Sequence, residues 1–227
     1  IFLFAFPVSA EEERGAGTNV SEKELGHAAE EAVQWLLSRK VPNETIESPL
    51  PWRRNLVLSY DVPEKDPAYR YLRGRSYIYD DGLAAIAFTM SGRLNDAEDL
   101  LFAMSRQLRS NGSIWFGVNV HNDWPSEEGH EGATVRSGAS AWAGYAATYY
   151  IRHRMAAEPD FDPGEDRVAR RILFFAEKTA RHLLSLQVTE EDDPRYGLVT
   201  GGMGTYTLVA EEGGGVKSVY SDEQIGW

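Results

Sequence analysis

The sequence predicts an all-α protein built from helical hairpins in two layers, with short β segments in the connections. Three observations carry that expectation. Segments with apolar residues at three- and four-residue spacing recur along the chain. Between them lie stretches that are apolar almost throughout, as in a helix buried on most sides. The sequence also repeats: Ala29-Glu30, then Leu36-Leu37-Ser38, returns as Ala176-Glu177, then Leu183-Leu184-Ser185. Likewise Ala97-Glu98-Asp99-Leu100-Leu101-Phe102 returns as Ala169-Arg170-Arg171-Ile172-Leu173-Phe174. A period of about 70 to 75 residues, carrying an amphipathic helix, a short β segment and a buried helix, suggests concentric layers with the buried helices inside. An ordinary helical bundle with chance similarity is the alternative.

Ile1 to Phe6 is apolar, and Pro7-Val8-Ser9-Ala10 precedes an acidic run. This has the form of the end of a signal peptide, with Val8-Ser9-Ala10 as cleavage site and a mature, exported chain from near Glu11. A buried N-terminal strand is the alternative. Residues 11–20 are polar and expected to be disordered. Residues 21–227 are expected to form one helical domain.

Ser21-Glu22-Lys23-Glu24 has capping-box form and starts a helix whose stripe is Leu25, Ala28, Ala29, Ala32, Val33, Leu36 and Leu37. Pro42 requires it to end. Asn55 to Tyr60 alternates and predicts a short strand. Gly82 to Met90 predicts a buried helix with Asp80 and Asp81 at its N-terminus, where the helix dipole favours anions. Asn95 to Ser110 predicts an amphipathic helix, Ser113 to Val118 a strand, and 119 to 134 a polar loop. Ser137 to Met155 predicts a second buried helix, with Trp142 as a core member. Asp166 to Leu186 is amphipathic, and the Gly-rich segment 197–210 predicts a hairpin.

Composition narrows the function. The chain has 227 residues and a net charge of −12. A surface so acidic repels phosphate backbones, which argues against nucleic acid. Without cysteine there is no disulfide, thiolate zinc site or cysteine nucleophile. No segment reaches the ~20 apolar residues of a membrane span. His121 and His130 with Glu127 or Glu131 match no standard metal spacing, Gly213 to Ser218 has Val216 where a P-loop needs glycine, and no Gly-x-Ser-x-Gly elbow occurs. Neither a metal nor another cofactor is expected, and the oligomeric state is left open.

Tyr77-Ile78-Tyr79-Asp80-Asp81-Gly82-Leu83-Ala84-Ala85-Ile86-Ala87 resembles the Tyr-x-Tyr-Asp-x-Ala-Leu-Ala segment of bacterial six-hairpin, (α/α)-toroid glycosidase-like proteins. Ser91-Gly92-Arg93 with Asp96-Ala97-Glu98 is similar to their next hairpin, and Ala141-Trp142-Ala143 to a later inner helix. Gly82 stands where the family has Ala. The resemblance spans about residues 20–227 and implies a partial (α/α) toroid: six hairpins are expected of the fold, and this sequence supplies about half. It also implies a glycoside hydrolase-like protein acting on a polysaccharide, with Asp80 at the family's acidic position; export is the expectation from residues 1–10.

Glycoside hydrolysis needs two carboxyl groups across the scissile bond. Asp80 with Asp81, Asp123, the Glu127/Glu128/Glu131 loop, and Asp222 with Glu223 are the acidic clusters outside the amphipathic faces. At the mouth of an apolar ring, desolvation and a like-charged neighbour raise a carboxyl pKa; simple helix capping is the alternative for Asp80 and Asp81. Asp80 is the first catalytic candidate, and Glu223 and Asp123 are candidates for its partner because aromatics adjoin them. A partner beyond residue 227 is the further expectation. Tyr77, Tyr79, Asp81, Trp124 and Trp115 are the substrate-binding candidates, since sugar C–H faces stack on aromatic rings. Two other functions stay open: a polysaccharide lyase using His121, Asn122, Arg136 and Tyr77, and a non-catalytic exopolysaccharide binding or assembly protein.

Overall fold

The structure, a computed structural model, describes residues 21–122, 134–210 and 216–225. Helix α1 (Glu22–Arg39) starts on the expected capping box: the Glu24 amide donates to the Ser21 hydroxyl at 3.3 Å, and the Ser21 amide to the Glu24 carboxylate at 2.8 Å. It stops three residues before Pro42. The expected strand at 55–60 is absent. A 3-10 turn (Pro51–Arg53) precedes it, and Asn55 turns the chain with φ 75°. The amides that follow go to three places: Val57 to Asp81, Leu58 to the Arg39 carbonyl and Ser59 to the Arg75 carbonyl. The segment is extended but has no partner strand over its length. Alternation alone did not reveal that.

After the short helix α2 (Tyr69–Leu72), strand β1 (Arg75–Tyr77) runs without a linker into α3 (Ile78–Met90). Gly92, at φ 74°, closes α3, and α4 (Leu94–Ser105) returns antiparallel. Strand β2 (Gly117–Asn119) pairs antiparallel with β1, Tyr77 opposite Gly117. It is displaced toward the C-terminus from the expected 113–118. Strand β3 (Val135–Arg136) leads directly into α5 (Ser137–Ala157), and α6 (Arg167–Ser185) follows with Asp166 accepting from the Val168 and Ala169 amides. Strands β4 (Gly202–Ala210) and β5 (Val216–Ile225) form a hairpin that joins β3 in a three-stranded antiparallel sheet. The expected 197–210 segment is thus mostly one arm of a longer hairpin. Both strand-to-helix junctions are pinned alike: the Ile78 amide donates to the Phe116 carbonyl at 2.9 Å, and the Ser137 amide to the Gly201 carbonyl at 3.0 Å.

The chain is an all-α arc of helical hairpins, a partial (α/α) toroid with short β segments in the connections. Helices α3 and α5 pack against each other as the inner layer, α4 lies behind α3, α6 behind α5, and α4 and α6 touch. The repeat is visible in burial. Ala97 and Ala169, and Leu100 and Ile172, occupy equivalent positions in α4 and α6 and are all fully buried. Each such Leu or Ile contributes ~1.5–3 kcal/mol of burial free energy. Phe88, Met104, Ala143, Ala147 and Phe175 join them in one core. A buried Tyr150 fixes α5 to α4 by donating to Glu98, and Arg154 adds an ion pair to Glu98 at 3.1 Å.

The inner helices approach closely because their facing residues are small. A Cβ placed on Gly82 would lie 3.3 Å from the Trp142 carbonyl carbon and oxygen. Gly82 therefore lies where α3 meets the α5 backbone. Helix α5 is not buried all round, as its composition suggests. Trp142, expected in the core, is 39% exposed and Tyr145 54%. Alanines fill the buried face, so the large rings are left for the other. Among the described residues, no helix is long and apolar enough to cross a membrane.

Candidate functional site

The junction of β1 and α3 places two consecutive carboxylates in different surroundings. Asp81 turns inward and is 1% exposed. Its Oδ1 accepts from the Val57 amide at 2.9 Å and its Oδ2 from the Ser76 hydroxyl at 2.7 Å. Burial pushes its pKa up to about 7, against the lowering effect of these hydrogen bonds. The Asp80 charge beside it raises it further. Expected as a substrate contact, Asp81 is instead a buried tie between α3, β1 and the 57–60 segment.

Asp80 is half-buried and opens onto a pocket of about 580 Å³. Trp35 and Leu36 of α1, residues 57–60, and Leu83, Ala84 and Ala87 of α3 complete its walls. Among the described lining residues Asp80 is the one carboxylate. Two aromatics there are more open than the core requires, Trp35 at 53% and Tyr60 at 40% exposed. The site therefore pairs a half-buried carboxyl group with two partly exposed aromatic rings in a mostly apolar hollow. That combination fits a polyhydroxylated ring: apolar C–H faces against the aromatics, and sugar oxygens within reach of a carboxyl group.

The other sequence candidates are placed as follows. Tyr77 stands behind the pocket, its ring edge-on to Tyr60 at 5.8 Å and to Phe116 at 4.9 Å, and its amide donates to the Ser59 hydroxyl at 2.8 Å. It shapes the wall through Tyr60. Tyr79 lies on another face of α3 from Asp80, edge-on to Trp142 at 6.2 Å, and Trp142 in turn meets Tyr145 at 5.8 Å. Trp142 and Tyr145, without Tyr79, line a second, shallower hollow with Gly138 and Ala141. Trp115 packs on the core beneath the Arg109 guanidinium, 4.0 Å above its ring, and does not line the Asp80 pocket. Asp123 and Trp124 lie outside the described residues. Glu223 lies in β5, two residues before its end, and its side chain is outside the described atoms.

Trp35 and Tyr60 were missed by sequence reasoning. A signal existed for the first: Trp35 falls outside the apolar stripe of α1, and a large ring off the stripe must face something other than the core. Tyr60 gave none, because its position depends on how the 57–60 segment is tied down.

No family model matches the chain, and no curated protein matches it. Among solved structures it is similar to an unsaturated glucuronyl hydrolase, a point variant crystallised with dGlcA-Glc-Rha-Glc. The sequences are 16% identical with a TM-score of 0.35, over 81% of this chain and 63% of that one. The chain thus spans less than two thirds of that enzyme's length. The fold assignment rests on the helices and their packing described above.

Proposed function

We propose that this is an exported, glycosidase-like protein that binds a polysaccharide in the α1–α3 pocket, with Asp80 as its general acid or base. The observation that carries the reading is Asp80 in a pocket flanked by the exposed rings of Trp35 and Tyr60. The first turn of α3 is a rigid mount for such a group, because β1 and the buried Asp81 hold it on both sides. Hydrolysis calls for a second carboxyl ~5–9.5 Å from the first. Glu223 and Asp123 remain the proposed partners within this sequence.

The test is release of reducing ends from a panel of neutral and acidic polysaccharides by wild type and Asp80→Asn. The substitution should cut turnover by about 10²-fold or more, as loss of acid–base assistance does. Unchanged turnover by a folded variant rejects the role. A second reading follows from the single carboxylate among the described lining residues: a polysaccharide-binding protein without turnover. Saccharide binding by wild type with no product over the same panel selects it, and an unsaturated uronate product would identify a lyase instead.

A further inference from the structure

The outer layer carries a third hollow, of about 560 Å³, lined by Phe102 and Arg106 at the end of α4 and by Arg167, Arg170, Arg171 and Phe174 of α6. Four guanidinium groups and two phenyl rings meet there on a chain whose net charge is −12. No carboxylate lines the hollow among the described residues. Two of the arginines are anchored. Arg171 donates to the Ser105 carbonyl at 2.9 Å and Arg106 to the Pro51 carbonyl at 3.3 Å. Arg167 and Arg170 are exposed, and neither guanidinium forms a hydrogen bond or ion pair with a described residue. The rings are held by cations: Arg106 lies 4.6 Å over Phe102, and Arg171 and Lys178 each lie 5.5 Å from the Phe174 centroid.

The placement is unfavourable for the isolated helix. The first turn of α6 contains no acidic residue, while Arg167 is its first residue and Arg170 and Arg171 follow within a turn. Cations at the positive end of a helix dipole repel it, and they repel one another. Asp166 is engaged by the Val168 and Ala169 amides, which answers the helix end but not the guanidinium cluster. Like charges gathered at the positive end of a helix, beside two phenyl rings, are relieved by an anion that also brings apolar surface.

We propose that this hollow is a secondary binding site for an acidic saccharide chain, its uronate carboxylates on the arginines and its sugar faces on Phe102 and Phe174. Guanidinium forks match planar carboxylates bidentately, and phenyl rings accept the C–H faces of a pyranose. A nucleic acid offers anions and flat bases as well, and the field of a −12 chain opposes either polyanion alike, so the DNA arm of the titration below separates the two. The choice of a saccharide rests on the reading of the α3 pocket given above; the demand for an anion does not.

The experiment is calorimetric titration with a galacturonate oligomer, a neutral glucan oligomer and single-stranded DNA, at low and moderate salt. The proteins are wild type, the double variant Arg167→Ala/Arg170→Ala, Phe174→Ala, and Asp80→Asn. Wild type should bind the galacturonate oligomer with a salt-sensitive affinity. The double variant should lose at least about tenfold of it, with a melting temperature no lower than wild type. Phe174→Ala should weaken the oligomer too. Asp80→Asn should keep the salt-sensitive component even where it abolishes turnover, so that failure at one site is distinguished from failure at the other. Equal binding of the neutral oligomer or of DNA, wild-type affinity in the double variant, or a lowered melting temperature in it each overturns the proposal.

Discussion

The Val57 amide donates to Asp81 at 2.9 Å across 24 positions of sequence, and this bond closes the back of the pocket on which Asp80 opens. It makes the neighbouring carboxylates a division of labour, one holding the wall and the other facing the hollow.

Removing the tie should destabilise the fold. Asp81→Ala leaves the Val57 amide and the Ser76 hydroxyl buried without their acceptor, each at ~1–3 kcal/mol. A fall in melting temperature of roughly 5–15 °C follows for a chain of this size, measured by circular dichroism. A melting temperature within a degree of wild type contradicts the assignment.

The same residue sets a pH dependence. The Asp81 pKa is raised in the folded state from 3.8 to about 7. Between those values the native protein keeps a proton that the unfolded chain has released, so stability falls as pH rises through the window. Below pH 3.8 both states are protonated, and above about pH 7 the full cost of a buried carboxylate is present. Urea unfolding at pH 5 and pH 8 should show wild type losing more stability than Asp81→Asn over this interval. An identical loss in both proteins excludes Asp81 as the source.

The aromatic walls should act on binding rather than chemistry. Trp35→Ala and Tyr60→Ala each remove apolar contact worth ~1–2 kcal/mol, which raises KM about tenfold and leaves kcat nearly unchanged. In the absence of turnover, the oligosaccharide Kd rises by the same factor. A loss confined to kcat would move these residues into the chemistry.

Close helix approach gives a further test. At Gly82 the α5 backbone is the neighbour, and it cannot swing aside as a side chain tip would. Gly82→Val should cost ~1–3 kcal/mol through overpacking, seen as a lowered urea midpoint. Full stability would mean that α3 and α5 can separate freely.

How much of this could be read from sequence follows the range of the interactions. The capping box of α1 is local and stood where expected, and α6 follows the expected amphipathic segment, with Asp166 as a cap that the sequence reading had not singled out. The repeat carried the layer order, because Ala97 and Ala169 must be buried wherever two such hairpins pack. The orientation of Trp142 was not legible: an Ala-rich helix with scattered aromatics has no polar face to mark its outside. Nor was the difference between Asp80 and Asp81. Adjacent positions on a helix are 100° apart, but which of them turns inward is decided by the Val57 amide, delivered by a distant segment. The same segment brings Tyr60 to the pocket, so both errors of reading have one cause.

The linker-free passage from β1 to α3 and from β3 to α5 also governs the time scale on which this face can change. With Ile78 and Ser137 each hydrogen-bonded to a carbonyl of a neighbouring segment, neither inner helix can rotate at its N-terminus without breaking bonds to that segment. Local fraying, the common fate of helix ends, is closed off at the ends nearest the candidate site. Amide protons at these two positions should exchange with solvent only in large-scale openings. A ligand arriving at the first turn of α3 would find it already rigid, with little ordering left to be done.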